Sequence, residues 1–410
     1  MNILFITLAD IRSVEEHGIY TDLIREFAKN NHTIYVLSPI EKRNIKGLEL
    51  NIQKENRYFR NVYIIKIPTG NIQKTSFIEK GISTLLLEHQ LKEGIKRELK
   101  KQRFDLILYS TPPVTIVKPI KYIKKRDKAI TYLMLKDITP QAIVDLGVMK
   151  TRGLTGIIYK YFKNKEKELY SISDYIGCMS QSNVEYLIDK NPQIDKKKVE
   201  ICPNSVEVID KSVDERKRVD IRKKYSIPMD KKVFIYGGNL GKPQGIPFII
   251  KCLKSQQKND DVFFLIVGDG TEFDELNNAI MSMNQKNVRL MKRLPKDDYD
   301  TMVGACDVGL IFLDFRFSVP NYPSRILSYM QAKIPVFAVT DMSTDVGKDI
   351  VKGGFGWWCR SDSVIDFSNT VKEILRTDIK QKSNKSWEYL MENFQSDNSY
   401  RIISKHFREN

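Results

Sequence analysis

Long apolar runs are missing from this chain of 410 residues, and so are closely paired cysteines and any large supply of histidine. No stretch approaches the roughly 18 apolar residues that a helix needs to cross a bilayer. The longest, such as Phe263–Val267, have the length of a strand. The amino terminus opens Met-Asn-Ile-Leu-Phe-Ile-Thr, with neither a cationic flank nor a small-residue cleavage site, and reads as a buried strand, not a secretory signal. Cys178, Cys202, Cys252, Cys306 and Cys359 lie at least 24 residues apart with no C-x-x-C pair, and His17, His32, His89 and His406 are the only histidines. That spacing argues against a zinc site or a disulfide scaffold and points to a reducing, cytoplasmic setting.

What is present is ordinary in kind and uneven in place. Hydrophobic residues at 41% and charged residues at 29% suit a soluble globular chain, and the length predicts two or three domains. Charge is the unusual quantity: 67 Lys and Arg against 51 Asp and Glu leave +16. Residues 1–205 hold 35 basic and 23 acidic side chains (+12), and residues 206–410 hold 32 and 28 (+4). Residues 97–128 alone carry ten basic and three acidic side chains. A lysine-rich solvated face is the plain reading, and an anionic partner for the first half is the sharper one.

Short apolar runs alternate with longer amphipathic ones. Strands are predicted at 2–8, 33–37, 62–67, 105–109, 129–135, 174–179 and 199–202, with helices at 19–30 and 78–101 among them. The pattern restarts with strands at 231–236, 262–267, 288–291, 308–313 and 336–339, and helices at 246–255, 272–283, 297–305 and 324–332. Such alternation predicts parallel sheets covered on both faces, hence an α/β chain of two doubly wound domains. The polar stretch 204–229 sets the expected boundary: 1–205, then 206–389, with a terminal helix at about 390–410 packing back onto the first domain. Open parallel sheets bind ligands beyond the carboxyl ends of their strands, so the site is expected in a cleft where the two domains face each other.

Three segments carry the chemistry. The strand at 233–236 runs into Gly237-Gly-Asn-Leu-Gly-Lys-Pro-Gln-Gly245 ahead of a helix. Glycines let backbone approach a ligand, a helix start offers free N–H groups, and Lys242 adds charge, so phosphate is the natural guest. The spacing fits neither a Walker loop nor G-x-G-x-x-G, and a plain tight turn is the competing reading. Gly268-Asp-Gly270 is a second such turn. The third is Val319-Pro-Asn-Tyr-Pro-Ser-Arg-Ile-Leu-Ser-Tyr-Met330, where Ser324 is suited to cap a helix. Arg325 in that first turn needs an anion, either a phosphate or a nearby carboxylate.

These segments, with Ala305-Cys-Asp-Val-Gly-Leu-Ile311 and Pro323-Ser-Arg-Ile-Leu-Ser-Tyr-Met-Gln-Ala-Lys-Ile-Pro-Val336, resemble glycosyltransferase family 4. Leu135-Lys-Asp-Ile-Thr-Pro-Gln141, Asp145-Leu-Gly147, Met179-Ser-Gln-Ser-Asn183 and Cys202-Pro-Asn-Ser-Val206 are similar to its O-antigen and capsular polysaccharide branch. The resemblance implies a GT-B fold: two Rossmann-like domains, the second for a nucleotide-sugar donor and the first for the acceptor. It implies transfer with retention and no cofactor or obligatory metal, so cations and backbone amides must stabilise the leaving diphosphate.

On that resemblance the donor set comprises Gly18, Gly238, Asn239, Lys242, Gln244, Gly245, Gly268, Arg293, Ser324, Arg325 and Ser328. Asn239 and Gln244 stand where the family has arginine and lysine. Ser328 stands where it has the glutamate that grips the ribose, and Pro320 near the other member of its glutamate pair. A hydroxyl makes one hydrogen bond where a carboxylate holds both ribose oxygens. His17, beside Gly18, is expected over the donor phosphates, against a role-free loop histidine. Asp137 is expected to orient or deprotonate an acceptor hydroxyl, against a helix cap.

The predicted helix at 78–101 aligns Ile82, Leu85, Leu86, Leu91 and Ile95 and gathers Lys92, Lys96, Arg97, Lys100 and Lys101 near its end. With Lys118, Lys121, Lys124, Lys125 and Arg126, these suggest that the basic stretch 97–128 meets the inner face of the cell membrane and a lipid-linked glycan acceptor. Aromatic interleaving is slight, which disfavours nucleic acid. The expected activity is therefore sugar transfer from a UDP-sugar by a peripheral membrane enzyme. The rivals are a non-catalytic GT-B subunit that supports a partner transferase, motivated by the missing glutamates, and a nucleotide-sugar epimerase.

Overall fold

The computed structural model describes residues 1–45, 59–72 and 77–407. The chain divides into two compact units, Met1–Glu207 joined by the residues from Ser396 onward, and Val208–Gln395.

The first unit begins with β1 (Asn2–Ile6), α1 (Ile19–Lys29), β2 (Thr33–Glu41) and β3 (Val62–Thr69). It continues with α2 (Phe77–Glu98), β4 (Leu106–Ser110), α3 (Val117–Asp127) and β5 (Ile130–Leu135). Then come α4 (Thr139–Asp145), α5 (Gly153–Ile172), β6 (Tyr175–Cys178), α6 (Gln181–Lys190) and β7 (Val199–Ile201). The described strands form one parallel sheet in the order β3-β2-β1-β4-β5-β6-β7. Helices cover both faces, so its central strands are apolar throughout: Leu106, Ile107, Leu108 and Tyr109 are all fully buried.

The second unit opens with α7 (Glu215–Lys224), whose start is fixed by Asp214 accepting from the Lys217 N–H at 2.8 Å. Then follow β8 (Lys232–Asn239), α8 (Ile246–Ser255), β9 (Val262–Asp269), α9 (Phe273–Met283) and β10 (Val288–Met291). Next are α10 (Lys296–Gly304), β11 (Val308–Phe312), α11 (Arg325–Gln331), β12 (Val336–Thr340), α12 (Val346–Lys352) and β13 (Gly356–Arg360). Two helices, α13 (Val364–Arg376) and α14 (Lys380–Asn393), close the unit. Its parallel sheet runs β10-β9-β8-β11-β12-β13. Asp307 ties α7 to the start of β11: it accepts from Arg218 at 2.6 Å, from Arg222 at 2.8 Å and from the Val233 N–H at 2.7 Å. The chain then returns to the first unit as α15 (Ser396–Ser404). There Tyr400 and Ile403 join Ile3, Phe5, Ile24 and Phe27 in one apolar cluster.

Both units are doubly wound, as the alternation of runs predicts. Several local expectations are corrected. The strand expected to stop at Tyr236 continues to Asn239, because Gly237, Gly238 and Asn239 pair with Val267, Gly268 and Asp269 of β9. Ser324 makes no side-chain capping bond to α11. Instead of one terminal helix at about 390–410 there are two, broken near Phe394. The long helix α5 lies where no element is predicted.

Candidate active site

In each sheet the strand order reverses at one point, between β1 and β4 in the first unit and between β8 and β11 in the second. Connections leave such a point in opposite directions and open a crevice at the strands' carboxyl ends. In the second unit Gly237–Gly245 spans the end of β8 and the turn after it, and residues 313–324 follow β11, so the glycine segment and Arg325 flank this crevice.

Arg325 is the unusual side chain there. Its guanidinium carbon lies 4.3 Å from the centre of the Tyr236 ring, with Tyr299 and Tyr329 beside it. Its Nη1 is buried and has no hydrogen-bond partner, and no carboxylate pairs with it among the described residues. The surrounding phenols supply no countercharge. Burial raises Tyr236 against the opposing Arg325 charge, pushes Tyr329 up to about 12 and holds Tyr299 well above its ordinary value. A buried, unpaired cation is costly unless an anion joins it.

Gly238 stands against this guanidinium. Its φ of 130° is a conformation that side chains rarely adopt, and a Cβ would come within 3.2 Å of Arg325 Nη2. Gly268 has a different reason to be glycine, because a Cβ there would lie 2.1 Å from the Gly238 carbonyl oxygen. Gly245, at φ 67°, ends the turn against Asp314.

Asn239 and Gln244 turn toward each other. Gln244 Oε1 accepts from Asn239 Nδ2 at 3.0 Å and from the Gly241 N–H at 3.2 Å, so the pair braces the loop. Lys242 is exposed, with no ion pair among the described residues. Arg293 is exposed in the connection after β10, and Ser328 lies one turn beyond Arg325 on α11. Sequence reasoning missed Glu272, whose Oε2 is buried without a partner. Desolvation and Glu275 hold its carboxyl above the ordinary value, with Lys242 opposing. It also missed the three tyrosines. Tyr329 was within reach, since four residues on a helix put it beside Arg325.

In the first unit, His17 and Gly18 follow β1, and Asp137 follows β5. Arg25, almost fully buried, organises the first of these loops. Its Nη2 lies 2.6 Å from His17 Nδ1, 2.5 Å from Asp22 Oδ1 and 2.9 Å from Glu207 Oε2. An arginine nitrogen only donates, so His17 Nδ1 accepts and the proton of the neutral ring sits on Nε2. His17, Asp22 and Glu207 have the geometry of a cation site, and the guanidinium occupies it. Gly18 donates its N–H to Asp22 Oδ1 at 2.9 Å. Among the described residues nothing demands glycine at 18, where φ is 179° and a Cβ would meet only Thr21 Oγ1 at 3.4 Å.

Asp137 does not cap α4, which has no side-chain capping bond, and its carboxylate has no hydrogen-bond partner among the described residues. The residue is exposed, yet protein crowds the carboxyl enough for desolvation to hold it above its ordinary value, with Lys136 opposing. Lys136 itself escaped sequence reasoning. Desolvation pulls its amine down to about 8, while Cys202 and Asp137 act the other way.

Residues 217–389 match the family described as glycosyl transferases, group 1. The second unit is a group 1 glycosyl transferase domain. The chain is accordingly a transferase, as its resemblance to family 4 implied. A probable glycosyltransferase of Pseudomonas aeruginosa, WbjE, is 23% identical over 335 residues, which cover 80% of each chain. Among solved structures, Anabaena Alr3699/HepE in complex with UDP and glucose superposes with a TM-score of 0.72 at 14% identity, over the full length of both chains. Escherichia coli trehalose-6-phosphate bound with UDP-2-fluoro glucose gives 0.73 at 8% identity, covering 99% of this chain and 98% of that one. At such identities the shared property is architecture, and the transferase has the GT-B fold.

Proposed function

We propose that this transferase moves a sugar from a nucleoside diphosphate sugar, with UDP as the nucleotide, to a lipid-linked glycan in cell-surface polysaccharide synthesis. The observation that carries the reading is Arg325, a half-buried guanidinium whose enclosed Nη1 has no partner and whose Nη2 faces a glycine without a Cβ. A diphosphate oxygen supplies the missing charge, and Lys242 and the backbone N–H groups of the loop add to it. In the transfer, the bond from the anomeric carbon to the diphosphate oxygen breaks and its electron pair leaves with the diphosphate. The acceptor oxygen bonds to that carbon on the same face, and its proton passes to Asp137. A carboxyl raised above the ordinary value suits that task. His17 offers its Nε2–H to a donor oxygen.

The names of the relatives support the same reading. HepE is in complex with UDP and glucose, and WbjE is a probable glycosyltransferase. Retention and independence from metal come from the family 4 resemblance, and a place at the inner face of the cell membrane from the excess of basic side chains in the first half. Isothermal titration of the full chain against a panel of nucleoside diphosphates tests the donor. UDP is expected to bind and Arg325→Ala to weaken it strongly. Folded protein that binds no nucleotide overturns the reading.

A further inference from the structure

From Leu146 to Lys165 the chain contains five cations, Lys150, Arg152, Lys160, Lys163 and Lys165, and no Asp or Glu. This segment forms the turn after α4 and the first turns of α5. Four of its apolar side chains are exposed: Ile157 is 68% exposed, Val148 50%, Ile158 41% and Tyr161 36%. Ile157 and Tyr161 are four residues apart and share one face of the helix. Glu166, Leu169 and Tyr170, further along, supply the face that packs.

The patch does not end at α5. Lys165 donates to the buried Glu88 of α2 at 2.9 Å, and one turn before Glu88 stand Leu85 and Leu86, both about half exposed. Lys150, Arg152 and Lys160 have no ion pair among the described residues. The basic stretch 97–128 is different. Arg97 pairs with Glu98, Arg103 and Arg126 with Asp127, Lys118 with Glu88, Lys121 with Glu168 and Lys124 with Asp174. Among the described residues it exposes no large apolar side chain.

We propose that the α4–α5 turn and the opening turns of α5, flanked by Leu85 and Leu86, are the face this transferase lays against an anionic lipid bilayer. Ile157, Ile158 and Tyr161 enter the boundary between headgroups and acyl chains, and the surrounding cations meet lipid phosphates. An apolar patch rimmed by unpaired charges of one sign matches a surface that is oily beneath and negative above. The inference deepens the lipid-linked acceptor reading and rests on it.

Co-sedimentation of the full chain with vesicles tests the surface without nucleotide or acceptor. Vesicles of phosphatidylcholine mixed with phosphatidylglycerol are expected to bind it at least about tenfold more tightly than phosphatidylcholine alone, and added salt to weaken the binding. The double variant Ile157→Glu/Tyr161→Glu is expected to lose about tenfold or more. A polarity-sensitive dye on Ile157→Cys is expected to shift to the blue on the mixed vesicles, a readout that does not depend on the double variant folding. Equal binding by the double variant and wild type overturns the proposal, as does an unshifted dye on vesicle-bound protein. Loss of self-association in the variant, with no vesicle binding by wild type, overturns it in favour of a protein interface. Vesicle binding without nucleotide binding would count against the donor reading alone.

Discussion

Arg325 sets stability against the proposed function at a single position. Replacing it with Met keeps much of its length and the contact with Tyr236 while removing a half-buried charge that no carboxylate balances among the described residues. Arg325→Met is therefore expected to match or exceed wild type in urea denaturation without ligand. Its affinity for UDP is expected to fall by about 10- to 100-fold, the worth of one charge-assisted hydrogen bond. A variant both less stable and unchanged in affinity would show Arg325 to be a packing residue. Lys136 gives a prediction with a definite sign. Its amine is pulled from the ordinary 10.5 down to about 8 on folding, so the folded state resists the proton that the unfolded chain accepts. The cost to stability is absent above about pH 10.5, grows as pH falls, and is complete below about 8. Lys136→Met should thus be more stable than wild type at pH 7, by about 1 kcal/mol once partial solvent access is allowed for. Paired urea titrations at pH 7 and near pH 10.5 should show that advantage disappearing.

At the scale of elements, the sequence was most legible where one physical rule acts alone. Buried parallel strands must be apolar on both sides, and runs such as Leu106–Tyr109 announced themselves. The glycine segment at the end of β8 was legible in part: a φ of 130° at Gly238 calls for glycine, but the strand runs on to Asn239, past its expected end at Tyr236. Less legible was whatever depends on partners distant in the chain. The charges of 97–128 looked free because Glu88, Glu168 and Asp174, which neutralise three of them, lie in other elements. The aromatic box around Arg325 likewise needs Tyr236 and Tyr299, which only the sheet order brings together. The acid-free stretch 146–165 was open to simple counting; its meaning waited on which face of α5 packs. The helix α15 shows how tertiary contact decides an element's worth. Tyr400 is 3% exposed, meets the Phe27 ring edge-on at 5.0 Å and bonds His32 Nε2 at 3.2 Å. Tyr400→Ala should cost about 3–5 kcal/mol in chemical denaturation, by analogy with large aromatic truncations. If the units unfold separately, only the transition of the first should move.

For the whole molecule, net charge proves a poor locator of function. The excess of +12 in residues 1–205 is partly spent on internal ion pairs, and the proposed diphosphate site lies in the nearly neutral half. One further feature spans the chain. The first unit ends at Glu207 and resumes at Ser396, and those two places are already joined: the Ser396 N–H donates to the Val206 carbonyl at 2.9 Å. Glu207 is held there by its own N–H to Asp22 at 2.8 Å and by Arg25 and Lys29. In topological terms the second unit is a guest inserted into a host whose cut ends touch. A host so closed needs no guest to complete its sheet or to seat α15 against α1. Deleting 208–395 and bridging Glu207 to Ser396 with a short glycine-serine link should leave a soluble protein that melts cooperatively by circular dichroism. A molten product would mean that the guest holds its host together. Cooperative melting would mean that the host folds alone, so that the insertion point between Glu207 and Ser396 tolerates the removal of everything it carries.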